Sequence, residues 1–146
     1  MSATKSVDDH LQLLTDATTT DERRAALALL GTVADDRPLS PIESARMLRQ
    51  VLAVAVDRAR IPEEKNDALR VAQKVYERSP CEGVSLSPLI AVLDDLPFVT
   101  LEYALLVIGA SRQLSLAPVL ERFTHYDDAF VAWSAKEALE ALRAAT

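Results

Sequence analysis

Two histidines, His10 and His125, one cysteine, Cys81, and five adjacent pairs of identical carboxylates are the side chains of this 146-residue chain best suited to chemistry. Nucleophilic catalysis needs the thiol or a hydroxyl against a base in space. His125 falls at a turn between apolar helical runs, and Cys81 sits beside Pro80 in a connector. Both are expected to be ordinary loop residues. The pairs are Asp8-Asp9, Asp35-Asp36, Glu63-Glu64, Asp94-Asp95 and Asp127-Asp128. Acid–base work by two carboxylates requires an enclosure that separates their pKa values. All five pairs lie at helix ends or turns, where capping and the helix dipole account for them. No His, Cys and carboxylate cluster has metal-ligand spacing. The chain is therefore expected to have no catalytic residue, no metal and no cofactor.

Composition points the same way. Three glycines leave little material for a phosphate-cradling loop, and Ala and Leu together supply 45 of the 146 residues, which favours helix. The net charge is −6, an unfavourable sign for binding nucleic acid, whose phosphates select basic surfaces. The most apolar stretch, 101–109, contains Glu102 and is too short to cross a bilayer. Residues 1–10 lack the apolar run of a secretory signal. A cytoplasmic protein without membrane contact is the expectation, and the chain is expected to be a single domain over 1–146.

Helix signals recur in order. Ser6 before Val7-Asp8-Asp9 opens a helix to about residue 16. Thr20 caps a second, running to about 34 with Ala25, Ala26, Leu29, Leu30 and Val33 as its apolar face. Ser40-Pro41-Ile42-Glu43 is a capping box with proline at the first helical position. That helix is expected to reach about 59 and to bury Ile42, Ala45, Leu48, Leu52, Val56 and Ala59. A fourth follows Ile61-Pro62, with Ala68, Leu69, Ala72, Val75 and Tyr76 as its stripe. Ser87-Pro88 opens a short helix to about 93. Helix 98–109 is expected to stop at Gly109 as its C-terminal cap. Helix 116–124 follows, and Asp127-Asp128 caps the last, 129–144.

Three stretches align without gaps. They place Ala26, Ala104 and Ala135 at one slot, Leu29, Val107 and Ala138 at the next, and Leu30, Ile108 and Leu139 after it. Gly109, Ala117-Pro118-Val119-Leu120, the Asp127-Asp128 cap, Val131, Ala135 and Ala138-Leu139 carry the pattern furthest. In these positions the sequence resembles the HEAT-like repeats of the armadillo/HEAT superfamily, in the small free-standing bacterial form. The likeness is good over 85–146, fair over 9–34 and weak over 40–79. It implies an all-α protein, an α-solenoid of about four antiparallel helical hairpins spanning 6–34, 40–79, 86–109 and 115–144. The second helix of each hairpin would line a concave face.

Charge and aromatics are uneven along the chain. Residues 80–146 hold 4 basic and 9 acidic residues, net −5, while 41–79 is net +2. The basic segment includes Arg46, Arg49, Arg58, Arg60, Arg70 and Lys74, with Tyr76 its sole aromatic. Six of the seven aromatics lie between 98 and 133: Phe98, Tyr103, Phe123, Tyr126, Phe130 and Trp133. Tyr103 and Phe123 fall at core slots. Trp133 occupies the slot held by Arg24 and Glu102 in the other aligned stretches, so it is expected at the surface beside Glu137 and Glu140. An exposed tryptophan among acids has the composition of an interface anchor. The expected binding residues are Trp133, Glu137, Glu140 and Glu102, with Tyr126, Phe130, Asp94, Asp95, Asp127 and Asp128 around them. The resemblance then implies a non-catalytic protein-binding module. An immunity protein that neutralises a cognate basic toxin fits the acidic face, and a regulatory or assembly scaffold is the alternative. An enzyme of the HEAT-like DNA glycosylase or bilin lyase kind is the rival from another class, but the specific residues of those enzymes do not map onto this sequence.

Overall fold

The computed structural model describes residues 6–144 and is all-α, with eight helices and no strand among the described residues. The helices pack as two compact units that divide after Val84.

The first unit holds α1 (Val7–Asp16), α2 (Thr20–Asp36), α3 (Pro41–Val56) and α4 (Pro62–Arg78). Serine capping boxes start two of them. The Ser6 hydroxyl accepts from the Asp9 amide at α1, and the Ser40 hydroxyl accepts from the Glu43 amide at α3. Each carboxylate reaches back to the cap amide. At α2 the cap is Thr19, one residue earlier than expected, with its hydroxyl accepting from the Glu22 amide. The helix also continues to Asp36. Helix α3 ends at Val56 rather than near 59, because the Asp57 carboxylate takes the Ala59 amide and turns the chain.

Helix α1 packs on α2, α3 on α4, and α2 on α4. The last contact carries a ladder of ion pairs that fixes a parallel register: Arg23 to Glu64, Arg24 to Asp67, and Asp35 to Lys74. Glu64 is 1% exposed, and Arg23 grips both of its oxygens, at 2.9 and 3.1 Å. This register rotates α2 from the expected face. Ala26, Leu27, Leu30, Gly31 and Ala34 are buried, while Ala25 and Leu29 are exposed. A helix wedged between two neighbours needs a broader face than one stripe supplies. The α3 stripe is rotated too. Ser44, Met47, Leu48, Val51, Leu52 and Ala55 face inward, and Ile42 is 68% exposed, off this face. The α4 stripe is buried as expected.

The second unit holds α5 (Ser87–Val92), a 3₁₀ turn at Leu93–Asp95, α6 (Phe98–Ala110), a 3₁₀ turn at Leu114–Leu116, α7 (Ala117–Glu121) and α8 (Ala129–Ala144). Ser87 lies inside α5 instead of capping it, and the Ser85 hydroxyl takes the Ser87 amide. Helix α7 is one turn, shorter than the expected 116–124. Helix α8 packs on α6 and α7. Asp128 caps α8, one carboxylate oxygen accepting the Phe130 and Val131 amides at 3.0 Å each.

Gly109 does not end α6. It is buried within the helix, and a Cβ placed on it would come within 2.6 Å of the Ala138 Cα. The residue is glycine because two backbones touch there. The chain leaves α6 through Arg112 at φ 62°, while the Ser111 hydroxyl donates to the Ile108 carbonyl. Of the aligned slots, Ala26, Ala104 and Ala135 are all buried, as are Leu30, Ile108 and Leu139. The slot of Leu29, Val107 and Ala138 breaks the pattern, since Leu29 is exposed.

Two stability changes are expected. Gly109→Ala gains helix propensity but forces a methyl into the Ala138 backbone, for a net loss of about 2 kcal/mol in denaturant unfolding. The second concerns Glu43, whose carboxylate Arg37 and the Ser40 cap hold down at about 2 from an ordinary 4.5. A lowered carboxylate stabilises the fold above its unfolded pKa and loses that contribution on acidification. Stability is expected to fall between pH 4.5 and about 2, and Glu43→Gln to flatten the acid-melting curve over that interval.

Candidate functional site

Helix α8 exposes what α6 and α7 do not cover. Val131, Ala135, Ala138 and Leu142 form its buried side. Opposite them, Phe130 is 72% and Trp133 59% exposed, with Glu137 one turn beyond Trp133 and Glu140 a further turn along, both exposed. These are large apolar side chains on a helix that has already filled its core, so their exposure is not a by-product of periodicity.

The start of α6 adjoins this face. The α6 and α8 axes run in the same sense, since Glu102 meets Ser134 and Gly109 meets Ala138. Phe98 and Val99, in the first turn of α6, are each about half exposed. Three rings gather at this end. Phe98 meets Tyr126 edge-on at 6.0 Å, and Tyr126 meets Phe123 at 5.5 Å. Arg122 lies 4.6 Å over the Phe123 ring and pairs with Asp94 at 3.6 Å. Phe123 is buried, Tyr126 is half-buried, and Tyr103, expected in the core, is half-buried as well.

Glu102 is half-buried. The buried Ser134 hydroxyl donates to its carboxylate, and Asp128 lies close enough to repel it. Burial first, and Asp128 second, push the Glu102 carboxyl above its ordinary value. Phe130 precedes Ser134 by one turn along α8, and its backbone amide is bonded by the Asp128 carboxylate. None of Glu102, Asp127, Asp128, Glu137 and Glu140 forms an ion pair among the described residues. Tyr126, Phe130, Glu102, Asp128 and Asp94 thus gather at one end of the α6–α8 pair, Trp133 and Glu137 continue along α8, and Glu140 stands a turn further. Asp95 and Asp127 are exposed at the flanking turns.

Phe98 and Val99 belong to this surface and were not among the expected binding residues. The signal was their place directly after Pro97, in a first helical turn where no preceding turn can cover them.

The basic segment 41–79 does not form one face. Arg46 and Arg49 line a groove of about 510 Å³ between α1 and α3, and Arg70 and Lys74 line one of about 630 Å³ between α2 and α4. Arg46 pairs with Asp8, Arg60 with Asp57, and Lys74 with Asp35. His10 donates through Nδ1 to the Ser6 carbonyl, His125 is exposed in its turn, and the Cys81 sulfur lies 3.3 Å from the Ser79 carbonyl. Tyr76 is buried in the core of the first unit, which pushes its phenol up to about 12. Among the described residues no group of three His, Cys, Asp or Glu side chains is placed to hold a metal, and no helix is long and apolar enough to cross a membrane.

Comparison of the chain with protein-family models and with curated proteins finds no match to either.

Trp133 is the chain's one tryptophan. Its fluorescence is expected to show a solvent-like emission maximum and near-complete quenching by acrylamide in the free protein. A blue-shifted, protected emission would place the ring in the core.

Proposed function

We propose that this chain is a non-catalytic protein-binding module of the HEAT-like helical-repeat kind, with the α8 face and the start of α6 as its docking surface. The observation that carries this reading is the exposure of Phe130 and Trp133 on a helix whose carboxylates Glu137 and Glu140 have no cationic partner among the described residues. Aromatic side chains of this size dominate interface energetics when a partner covers them, and complementary charge around them speeds encounter. The small-repeat resemblance and the acidity of residues 80–146 support a specific role, that of a cytoplasmic immunity protein which occludes a basic toxin domain such as a nuclease. Occlusion asks nothing of the binder except a rigid complementary face, which agrees with a chain whose histidines and cysteine are engaged by backbone carbonyls or stand alone in a turn.

The experiment is to identify the partner by cross-linking in the native host, express it, and compare its affinity for wild type and Trp133→Ala. A buried interface tryptophan contributes about 2 kcal/mol or more, so the variant is expected to bind at least about thirtyfold more weakly while melting as wild type does. Co-expression should also rescue cells from the partner's toxicity, and the variant should rescue them less. A stable variant that binds as tightly as wild type removes α8 as the docking face. A bound partner without toxicity removes the immunity role and leaves an assembly scaffold.

A further inference from the structure

The docking face also constrains what lands on it, and this step rests on the reading of α8 as the docking surface. Phe130 and Trp133 give the face two exposed rings, and Phe98 and Val99 extend it onto the start of α6. Such an apolar face could be covered by a second copy of this chain, by a neutral or acidic segment, or by a cationic one. Charge decides among these. In the first unit, carboxylates of the paired helices meet arginines and a lysine of the same unit, as Glu64, Asp67 and Asp35 do. Beside the exposed rings, Glu102, Asp128, Glu137 and Glu140 have no such partner among the described residues. A second copy docked face to face would bring a second set of the same carboxylates into the contact, and an acidic segment would meet the same repulsion.

Two of these carboxylates are held in place before anything binds. Ser134, itself buried, bonds the Glu102 carboxylate, and two α8 amides bond Asp128. They lie near enough to repel each other, and the exposed Phe130 supplies one of the two amides that hold Asp128. A planar guanidinium suits this setting better than an ammonium. It can donate to two acceptors at once and stack its face on an aromatic ring, and it sheds water more readily.

We propose that the aromatic face of α8 takes an arginine-bearing amphipathic segment of a basic protein, the apolar side chains of that segment covering Trp133 and Phe130 and an arginine seating between Glu102 and Asp128.

The test uses three fluorescent amphipathic peptides of one design, with Leu on one face and Arg, Lys or Glu on the other, titrated against the full chain by anisotropy while Trp133 emission is followed. The variants are Trp133→Ala for the face and the double change Glu102→Gln/Asp128→Asn for the charge. Asparagine keeps the α8 cap, so the double variant should fold as wild type does. Asp36→Asn, at the end of α2 in the first unit, is the control. The Arg peptide is expected to bind with a shift in Trp133 emission, more tightly than the Lys peptide, and the Glu peptide not to bind. Binding should weaken with salt. The double variant should lose at least about tenfold in affinity for the Arg peptide, and the control none. If Trp133→Ala weakens binding and the double variant does not, the docking face stands and the arginine seat falls. Equal binding of the Lys peptide overturns the preference for arginine. If neither variant changes binding, or if the chain instead dimerises through α8 by sedimentation, both the seat and the face are overturned.

Discussion

The second unit is organised by one close contact, the approach of α6 and α8 at Gly109 and Ala138. A side chain larger than hydrogen at 109 would meet the backbone of α8, so the two helices can pack this tightly only with glycine on one side and alanine on the other. That spacing fixes which residues of α8 turn inward. Val131, Ala135, Ala138 and Leu142 fill the seam, and three of these four are small or β-branched. Small residues bring the helix in close. The large ones, Phe130 and Trp133, have no room on that side and stand outward. The exposed aromatic face is the geometric complement of a seam built from small side chains.

The first unit joins its corresponding helices by a different means. Its α2 and α4 also run side by side in the same sense, but arginine–carboxylate pairs set their register. Glu64 is deeply buried, and burial alone would raise its pKa, yet the Arg23 fork keeps the carboxyl below its ordinary value. Removing one member of such a pair leaves a buried charge uncompensated, which makes the pair a device for specificity more than for net stability. The two units therefore treat the charges of these helix pairs differently. In the first, cations and anions meet across helices and specify the packing. In the second, the α6–α8 seam is apolar, the pairs Arg122–Asp94 and Arg143–Glu121 lie at its exterior, and several carboxylates have no cation among the described residues.

This difference also explains what could be read from the sequence. Caps were legible because they are local. A serine three residues before an acid leaves few other conformations, and Ser6 and Ser40 both cap as expected. The exposure of Trp133 was legible because its slot holds charge in the other aligned stretches. The rotation of α2 was not, because Leu29 and Leu30 are equivalent to any periodicity, and only the partner across the seam, reached through Arg23 and Arg24, chooses between them. Gly109 misled for a related reason. A glycine near the end of an apolar run reads as a stop signal, and its second use, as a place where backbones touch, depends on Ala138, twenty-nine residues away. Phe98 was overlooked because helical spacing assigns faces but does not say where a helix outruns its neighbours.

Two physical demands meet on α8, and they separate structure from function at the level of single residues. Folding asks that α8 present a narrow, small-residue seam to α6, and it is indifferent to what lies opposite. The side opposite would be most soluble if it were uniformly charged, as Lys136, Glu137 and Glu140 are. Phe130 and Trp133 are set among such residues without contributing to the seam, at positions where a folded monomer gains little from burying them. Each exposed ring carries a standing risk of unspecific association. Carboxylates close to the rings limit that risk, because they repel a second copy and most acidic proteins while leaving the face open to a basic one. On the proposed reading, the arrangement of rings and acids acts at once as an attraction toward one kind of partner and as a barrier to the others.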